Sequence, residues 1–585
     1  MGPRRGLWIQ LLLLLAVGGL LFLWQLNAVG QVDETPALFA AAGRAMAETG
    51  DWITPRVNGH PRFDKPVLIY WLIGLASAGL PAAVDPLGSL AACLPSALAT
   101  MAVMLALAVT VRLDRGAAAT APLAAGLAFA LSPLVLVWGR VSVSDPLLTA
   151  CIALALLGFW RAYADPHSRR PWLAWLALGL AVLTKGPVGL LLPLLVLLVF
   201  AWLQRDAGGL ARAIHPASGL ALTLAVALPW YLIVWQREGG AFVQSFFGYH
   251  NLQRFTQVVN HHAGPWWFYL PVLALASFPV LPLLLLGLTC GARGLRRREP
   301  LRAAESLPRF AFCWLVVVLV FFSLSATKLP SYLLPGLPAM ALLVALADGP
   351  PPLLRSGRLG TLLLMALLGG VLLASSTWLP LVRDPEMPGL AEGLIASGLV
   401  VRAGGLILVV AAVGGWRLLQ CPLPRAWLPS VQLPLVLLGP WVLAPLALRA
   451  DQLRQAPVRD IAAAVRQLRR PAEPLAMAGI NKPTLHYYSR QVVHYAGQPA
   501  TGVRNLGEQL GFRQGPRDPS PTLLLVIDAG TAALPHWRSV PHRALASAGL
   551  YRLWRVERQR LADLSRGLAR QGVPSTWRAP NPERY

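Results

Sequence analysis

From residue 7 to residue 449 this chain repeats one pattern, a Leu-, Ala- and Val-rich run followed by a short turn that often holds arginine. A bilayer core about 30 Å thick takes roughly 20 apolar residues of helix to cross. Within lipid, only a segment that bonds its own backbone can do so. The repeated runs therefore dictate a polytopic, all-α membrane protein. Composition agrees: 56% of the 585 residues are hydrophobic and 13% charged, against about 25% charged in soluble domains.

Arginine placement sets the topology. Segment 67–81, VLIYWLIGLASAGLP, is short for a span and reads as an interfacial piece. With it excluded, Arg4-Arg5, Arg112/Arg115, Arg169/Arg170, Arg205/Arg212, the arginine-rich loop 293–309, Arg355/Arg358 and Arg417/Arg425 share one side. Cytoplasmic loops collect such residues. If 67–81 spanned, that pattern would invert.

About thirteen spans follow: 7–28, 88–111, 117–138, 146–163, 172–184, 188–203, 216–236, 266–289, 310–326, 332–348, 359–380, 399–416 and 431–449. The N-terminus is inside. The first span follows Arg4-Arg5 without a small-x-small site before Asp33 and reads as an uncleaved signal anchor. Residues 1–449 form the transmembrane domain, with 29–87 as its first external loop. Residues 450–585 lack any such run and read as a small external α/β domain. Val458–Leu468 has helical spacing, Leu523–Ile527 reads as a buried strand, and Tyr551–Val556 alternates as a strand does.

The net charge of +25 invites a nucleic-acid reading. Its arginines up to residue 450 sit mostly in the loops where membrane orientation places them, so no nucleic-acid partner is expected. Cys93, Cys151, Cys290, Cys313 and Cys421 show no ligand spacing and read as small apolar fillers.

Chemistry concentrates on the external side. Asp33-Glu34 follows the first span, and Asp145 opens another after Val-Ser-Val-Ser. Charge at membrane depth is costly and usually functional, and a carboxylate beside a low-dielectric boundary suits a general base. The plainer reading makes each an N-cap, Asp33 for a helix beginning at Glu34 or Thr35 and Asp145 with Pro146 at the first helical position. Lys65, Lys185 and Lys328 are among the few lysines, all external and beside apolar spans. Singly, each could be a snorkelling anchor; converging, they would clamp a lipid phosphate. The pair Trp266-Trp267 after His261-His262 fits an interfacial belt.

These segments, in this order, resemble the polyprenyl-phosphate-sugar-dependent membrane glycosyltransferases of GT-C fold, which include aminoarabinose:lipid A transferases and protein O-mannosyltransferases. The resemblance rests on Asp33-Glu34, Thr49-Gly50-Asp51-Trp52, Pro55-Arg56-Val57-Asn58-Gly59, Asp64-Lys65-Pro66, Leu94-Pro95-Ser96 and Asp145. It continues through Leu183-Thr184-Lys185-Gly186-Pro187, Asn251-Leu252-Gln253-Arg254-Phe255, His262-Ala263-Gly264-Pro265-Trp266-Trp267 and Thr327-Lys328-Leu329-Pro330-Ser331-Tyr332, covering residues 1 to about 345.

It implies Asp33, with Glu34 beside it, as the principal catalytic carboxylate and Asp145 as a second acid. Lys65, Arg56, Lys185, Arg254, Lys328 and Tyr332 would bind the donor. Some members hold a metal at the positions matching Asp64 and His262, so a divalent metal is the one cofactor implied, although Glu is usual at the first.

The implied partners are a polyprenyl-phosphate-linked sugar, a lipid or protein acceptor and membrane lipids. The implied location is a bacterial inner membrane with the active site facing the periplasm, and a single displacement would invert the anomeric carbon. Pro36 and Ala37 stand where the family has Arg and an aromatic, and Cys93 where a basic residue precedes Leu-Pro-Ser. These departures leave sugar and acceptor open. They also keep alive a lipid-binding scaffold, beside a rival lipid flippase or transporter whose acids relay protons.

Overall fold

The computed structural model describes residues 3–113, 119–165, 171–259, 262–293, 301–421, 426–511 and 520–578. Among them, eight helices are long and apolar enough to cross a membrane, beginning with Gly6–Leu23 and ending with Trp427–Arg454. A ninth candidate is the pair Tyr269–Ala276 and Leu281–Ala292, bent by 113°. The other expected spans meet shorter apolar helices at Ala121–Ala130, Pro171–Lys185, Val188–Gln204 and Pro330–Ala345. Helix Ala444–Arg454 runs straight through the expected domain boundary at 449/450.

Segment 67–81 forms helix Leu68–Gly79, 12 residues long. At 1.5 Å per residue it reaches about 18 Å, too short to span. It packs instead along helix Thr35–Thr49. Phe39 stacks on Tyr70 at 5.4 Å, and a Cβ at Gly43 would meet Ile73 Cγ2 at 2.5 Å.

Side-chain contacts separate the two ends of the bundle. At one end Arg309 donates to Gln204 Oε1 (2.9 Å), Gln204 to the Leu301 carbonyl (2.6 Å) and Trp160 to Ser306 Oγ (3.1 Å). Residues 301–309 and the turn after Gln204 thus share a face, as the arginine pattern requires. Arg115, Arg169, Arg170, Arg425, residues 294–300 and His261 lie outside the described residues.

The C-terminal domain carries strands β3 (Leu475–Ala478), β4 (Val493–Ala496), β5 (Thr522–Asp528), β6 (His542–Ala548) and β7 (Tyr551–Glu557). They follow a two-stranded ribbon, β1 (Arg56–Val57) with β2 (His60–Pro61), in the first loop. The five-stranded order is β4-β3-β5-β7-β6, with β3 parallel to β4 and β5 and the remaining pairs antiparallel. Central β5 is buried on both faces: Leu523, Leu525 and Ile527 enter one core, Leu524 and Val526 the other. The expected strands 523–527 and 551–556 and helix 458–468 are all present, the helix as Ala456–Leu468.

Candidate active site

The first loop delivers its charges through a tight hairpin. Asn58 and Gly59 both have positive φ, 55° and 82°, as a two-residue turn between β1 and β2 demands. Asn58 is anchored to β4, donating to the Val493 carbonyl (2.8 Å) and accepting from its N–H (2.7 Å). Beyond the hairpin come Arg62, Asp64 and Lys65. Asp64, 7% exposed, is ringed by cations and a histidine. Arg62 donates to it at 2.9 Å, Lys65 pairs with it, His250 Nδ1 lies 3.2 Å away and Arg254 3.6 Å away.

Burial opposes ionisation of Asp64, but Lys65, Arg62, His250 and Arg254 outweigh it and hold the carboxyl well below its usual range. Burial pushes Lys65 down to about 8; Asp64 counters, while Arg254 and Lys185 push the same way as burial. Burial likewise takes His250 down to about 4, so its imidazole is neutral at pH 7.

The bundle supplies the other half. Lys185, at the end of helix Pro171–Lys185, donates to Asp145 Oδ1 at 2.6 Å and lies 4.8 Å from the Tyr332 ring centre. Arg254 sits within electrostatic range of Tyr332, Asp64 and Asp145. Lys65, Lys185, Arg254, Tyr332, Asp64 and Asp145 thus gather at one place, although they come from five separate stretches of chain. Asp145 is the first residue of its helix after N-cap Ser144, and its side chain makes no cap. The expected N-cap role gives way to the lysine.

Asp33 is no cap either. Its helix starts at Thr35 behind Glu34, whose side chain makes no capping bond and which is exposed. The Asp33 carboxylate, 1% exposed, turns toward the C-terminal domain. It accepts from Gln455 Nε2 (2.8 Å) and the Thr484 N–H (3.3 Å), with Lys482 Nζ 3.3 Å away. Lys482 also bonds Glu386 at 2.6 Å, which in turn pairs with Arg454.

Three of the expected positions stand differently from the cluster. Lys328 does not join the other two lysines: its ammonium donates to the Ser323 and Ser325 carbonyls at 2.8 and 2.7 Å, closing the end of helix Leu307–Leu324, where cations are favourable. Arg56 pairs with Glu238 (3.2 Å) and Asp51 (3.7 Å) in a separate group that Arg237 completes. The pair Asp64 and His262 does not fit a metal. Asp64 is already surrounded by cations that would repel one, and His262 is exposed, its carbonyl taken by the Lys328 N–H. No cluster of three His, Cys, Asp or Glu groups suited to a metal occurs among the described residues.

Pro36 falls in the first turn of helix Thr35–Thr49, Ala37 is fully buried and Cys93 is largely so. Packed core thus stands where the family has an Arg, an aromatic and a base. Sequence reasoning missed His250, Gln455 and Lys482. His250, four residues before Arg254 in one helical stretch, carried a readable signal. Lys482 carried none, because its partner lies in another domain.

An apolar groove of about 490 Å³ runs between helix Pro216–Glu238 and the turn at Pro187, lined by Leu190, Leu191, Leu194, Leu224, Tyr231 and Phe247 among others. Pro187 is two residues from Lys185 and Phe247 three from His250, so groove and charges adjoin along the chain.

Residues 13–240 match the dolichyl-phosphate-mannose-protein mannosyltransferase family, and residues 468–572 match the C-terminal domain of cyanobacterial RgtA-type glycosyltransferases. The chain is similar to undecaprenyl phosphate-alpha-4-amino-4-deoxy-L-arabinose arabinosyl transferase 2 of Pseudomonas fluorescens, 32% identical over 442 residues that cover 74% of this chain and 70% of that one. The corresponding transferase of Pectobacterium atrosepticum is 32% identical over 71% of this chain and 74% of its own. One from Pseudomonas aeruginosa is 35% identical, but the chain covers only 58% of its length. Among solved structures, the crystal structure of ArnT from Cupriavidus metallidurans bound to undecaprenyl phosphate superposes with a TM-score of 0.75 at 25% identity, covering 95% of this chain and 98% of that one.

Proposed function

The chain belongs to the bacterial family of undecaprenyl-phosphate aminoarabinose transferases, and from that membership we propose that it moves one sugar from a polyprenyl-phosphate carrier to a lipid A-like acceptor. The fold is the GT-C architecture that the sequence led us to expect. The reaction would take place at the periplasmic face of a bacterial inner membrane.

One observation carries the reading: Lys65, Lys185 and Arg254 gather beside Tyr332, and an apolar groove opens at Pro187, two residues from Lys185. A polyprenyl phosphate has that shape, an anion on a long apolar tail. The tail lies in the groove, and the three cations bind the phosphate and neutralise the charge that grows on it as the sugar leaves. Phosphate is already a good leaving group and needs no general acid. The protein's remaining task is to orient and activate the acceptor, which falls to Asp33 with Asp145 in support. A single in-line displacement inverts the anomeric centre. No step is routed through a metal.

The C-terminal domain orients Asp33 through Gln455, Thr484 and Lys482. The acceptor exchanges for one of these contacts when it enters. Purified protein, given an undecaprenyl-phosphate aminosugar and lipid A, should yield lipid A heavier by one sugar residue in mass spectra. Movement of intact donor between leaflets of a vesicle without sugar transfer would favour the flippase reading instead.

A further inference from the structure

A second cavity, of about 370 Å³, lies between the first external loop and the C-terminal domain, apart from the lysine cluster. Three guanidinium groups line it: Arg44 from helix Thr35–Thr49, Arg466 from helix Ala456–Leu468 and Arg490 just after helix Pro483–Ser489. Two carboxylates accompany them, and neither balances the set. Glu48 is shared between Arg44 at 3.4 Å and Arg490 at 3.5 Å. Asp85 has both oxygens on backbone, accepting from the Leu90 and Ala91 N–H groups at 3.1 and 2.8 Å. Arg44, which also pairs with Glu48 and lies over the Tyr487 ring, donates to the Tyr487 carbonyl at 2.7 Å, and Arg466 makes one exposed bond to the Tyr488 carbonyl at 2.6 Å, with the rest of its fork available.

Leu80 and Leu87 also line the cavity, where the interfacial helix ends and the span Ser89–Val111 begins, which is head-group depth. Arginines and apolar side chains lining one cavity at that depth select a phosphate carried on an amphiphile, since guanidinium forks match phosphate oxygens. We propose that this cavity binds the anionic head group of a lipid, with Arg466 and Arg490 as its main phosphate contacts. It stands next to the reaction. Tyr488 Oη accepts from the Gln31 N–H at 2.8 Å and Tyr487 donates to the Gly88 carbonyl at 3.2 Å, so the cavity wall grips the segment that carries Asp33. The lipid is either the acceptor or a bilayer phospholipid; only that choice of source rests on the transferase reading.

Binding of dioctanoyl phosphatidic acid, dioctanoyl phosphatidylcholine and inorganic phosphate to full-length protein in neutral detergent tests the site. The wild type should take phosphatidic acid in preference to both others. The Arg466→Gln/Arg490→Gln double variant should lose about a hundredfold or more in that affinity, since two charge-assisted bonds go. Its melting temperature without lipid should match wild type and its affinity for a polyprenyl-phosphate analogue should not move. A raised acceptor KM at unchanged kcat then assigns the site to the acceptor, and an unchanged KM assigns it to bilayer phospholipid. Equal phosphatidic acid binding by wild type and double variant, or inorganic phosphate bound as tightly as the lipid, overturns the proposal.

Discussion

Lys482 Nζ stands 3.3 Å from Asp33 Oδ2, both side chains almost fully buried, so the carboxylate at the end of the first span is balanced by a cation from a domain at the other end of the chain. The same ammonium bonds Glu386 at 2.6 Å, from the loop after span Pro351–Leu373. One lysine therefore ties the loop after the first span, the loop after span Pro351–Leu373 and the C-terminal domain into one electrostatic unit.

Removing that lysine should be costly twice. Lys482→Met leaves a buried carboxylate unpaired, a loss of about 3–5 kcal/mol in typical cases. We expect a lower melting temperature and a fall in kcat, with polyprenyl-phosphate affinity near wild type, as measured by thermal unfolding and by steady-state kinetics with a separate binding assay. Unchanged kcat would make Lys482 a structural strut alone.

Asp33→Asn should abolish sugar transfer while expression and donor binding persist, because the amide keeps the shape but cannot act as a base. Asp145→Asn should also be severe, and its loss should not add to that of Lys185→Gln, since the two share one bond of 2.6 Å. Single-turnover assays on purified variants decide both. Wild-type turnover in the Asp33 variant removes that residue from the chemistry.

Donor affinity should separate the lysines. Lys65→Ala, Lys185→Ala and Arg254→Ala should each weaken binding of a polyprenyl-phosphate analogue about ten- to a hundredfold, for about 1.5–3 kcal/mol per charge-assisted bond. Lys328→Ala should lower the melting temperature and leave that affinity alone, since its ammonium is spent on two carbonyls. A Lys328 variant with donor affinity lost and melting unchanged would reverse the assignment.

Donor binding should weaken above about pH 8. Burial lowers the Lys65 ammonium to about that value, with Asp64, Arg254 and Lys185 facing it and His250 neutral nearby. The charged form, which grips phosphate, is thus full below pH 8 and lost above it. Dissociation constants across pH 6.5–9.5 should rise about tenfold per unit on the alkaline side. In Lys65→Arg the curve should stay flat there.

Alkaline phosphatase fused after Arg454 should be active, and fused within 293–309 inactive. Both outcomes follow if helix Leu68–Gly79 does not cross the membrane.

The sequence by itself determined the membrane class, the helical bundle and the small C-terminal α/β domain, because these follow from local hydropathy, spacing and charge. Even strand β5 was readable, since a run buried on both faces must be apolar throughout. Tertiary structure alone decided which charges meet. Asp33 and Asp145 both looked like helix caps along the chain, yet each turns its carboxylate to a lysine brought from elsewhere, Lys482 and Lys185. Lys65 and Lys328 looked alike, two external lysines beside prolines, but one stands in a charge cluster and the other closes a helix end. Local sequence sets a side chain's charge and its depth in the membrane. Its partner depends on which distant segments the packed bundle and the docked C-terminal domain bring within about 3 Å, and a linear pattern carries no record of that.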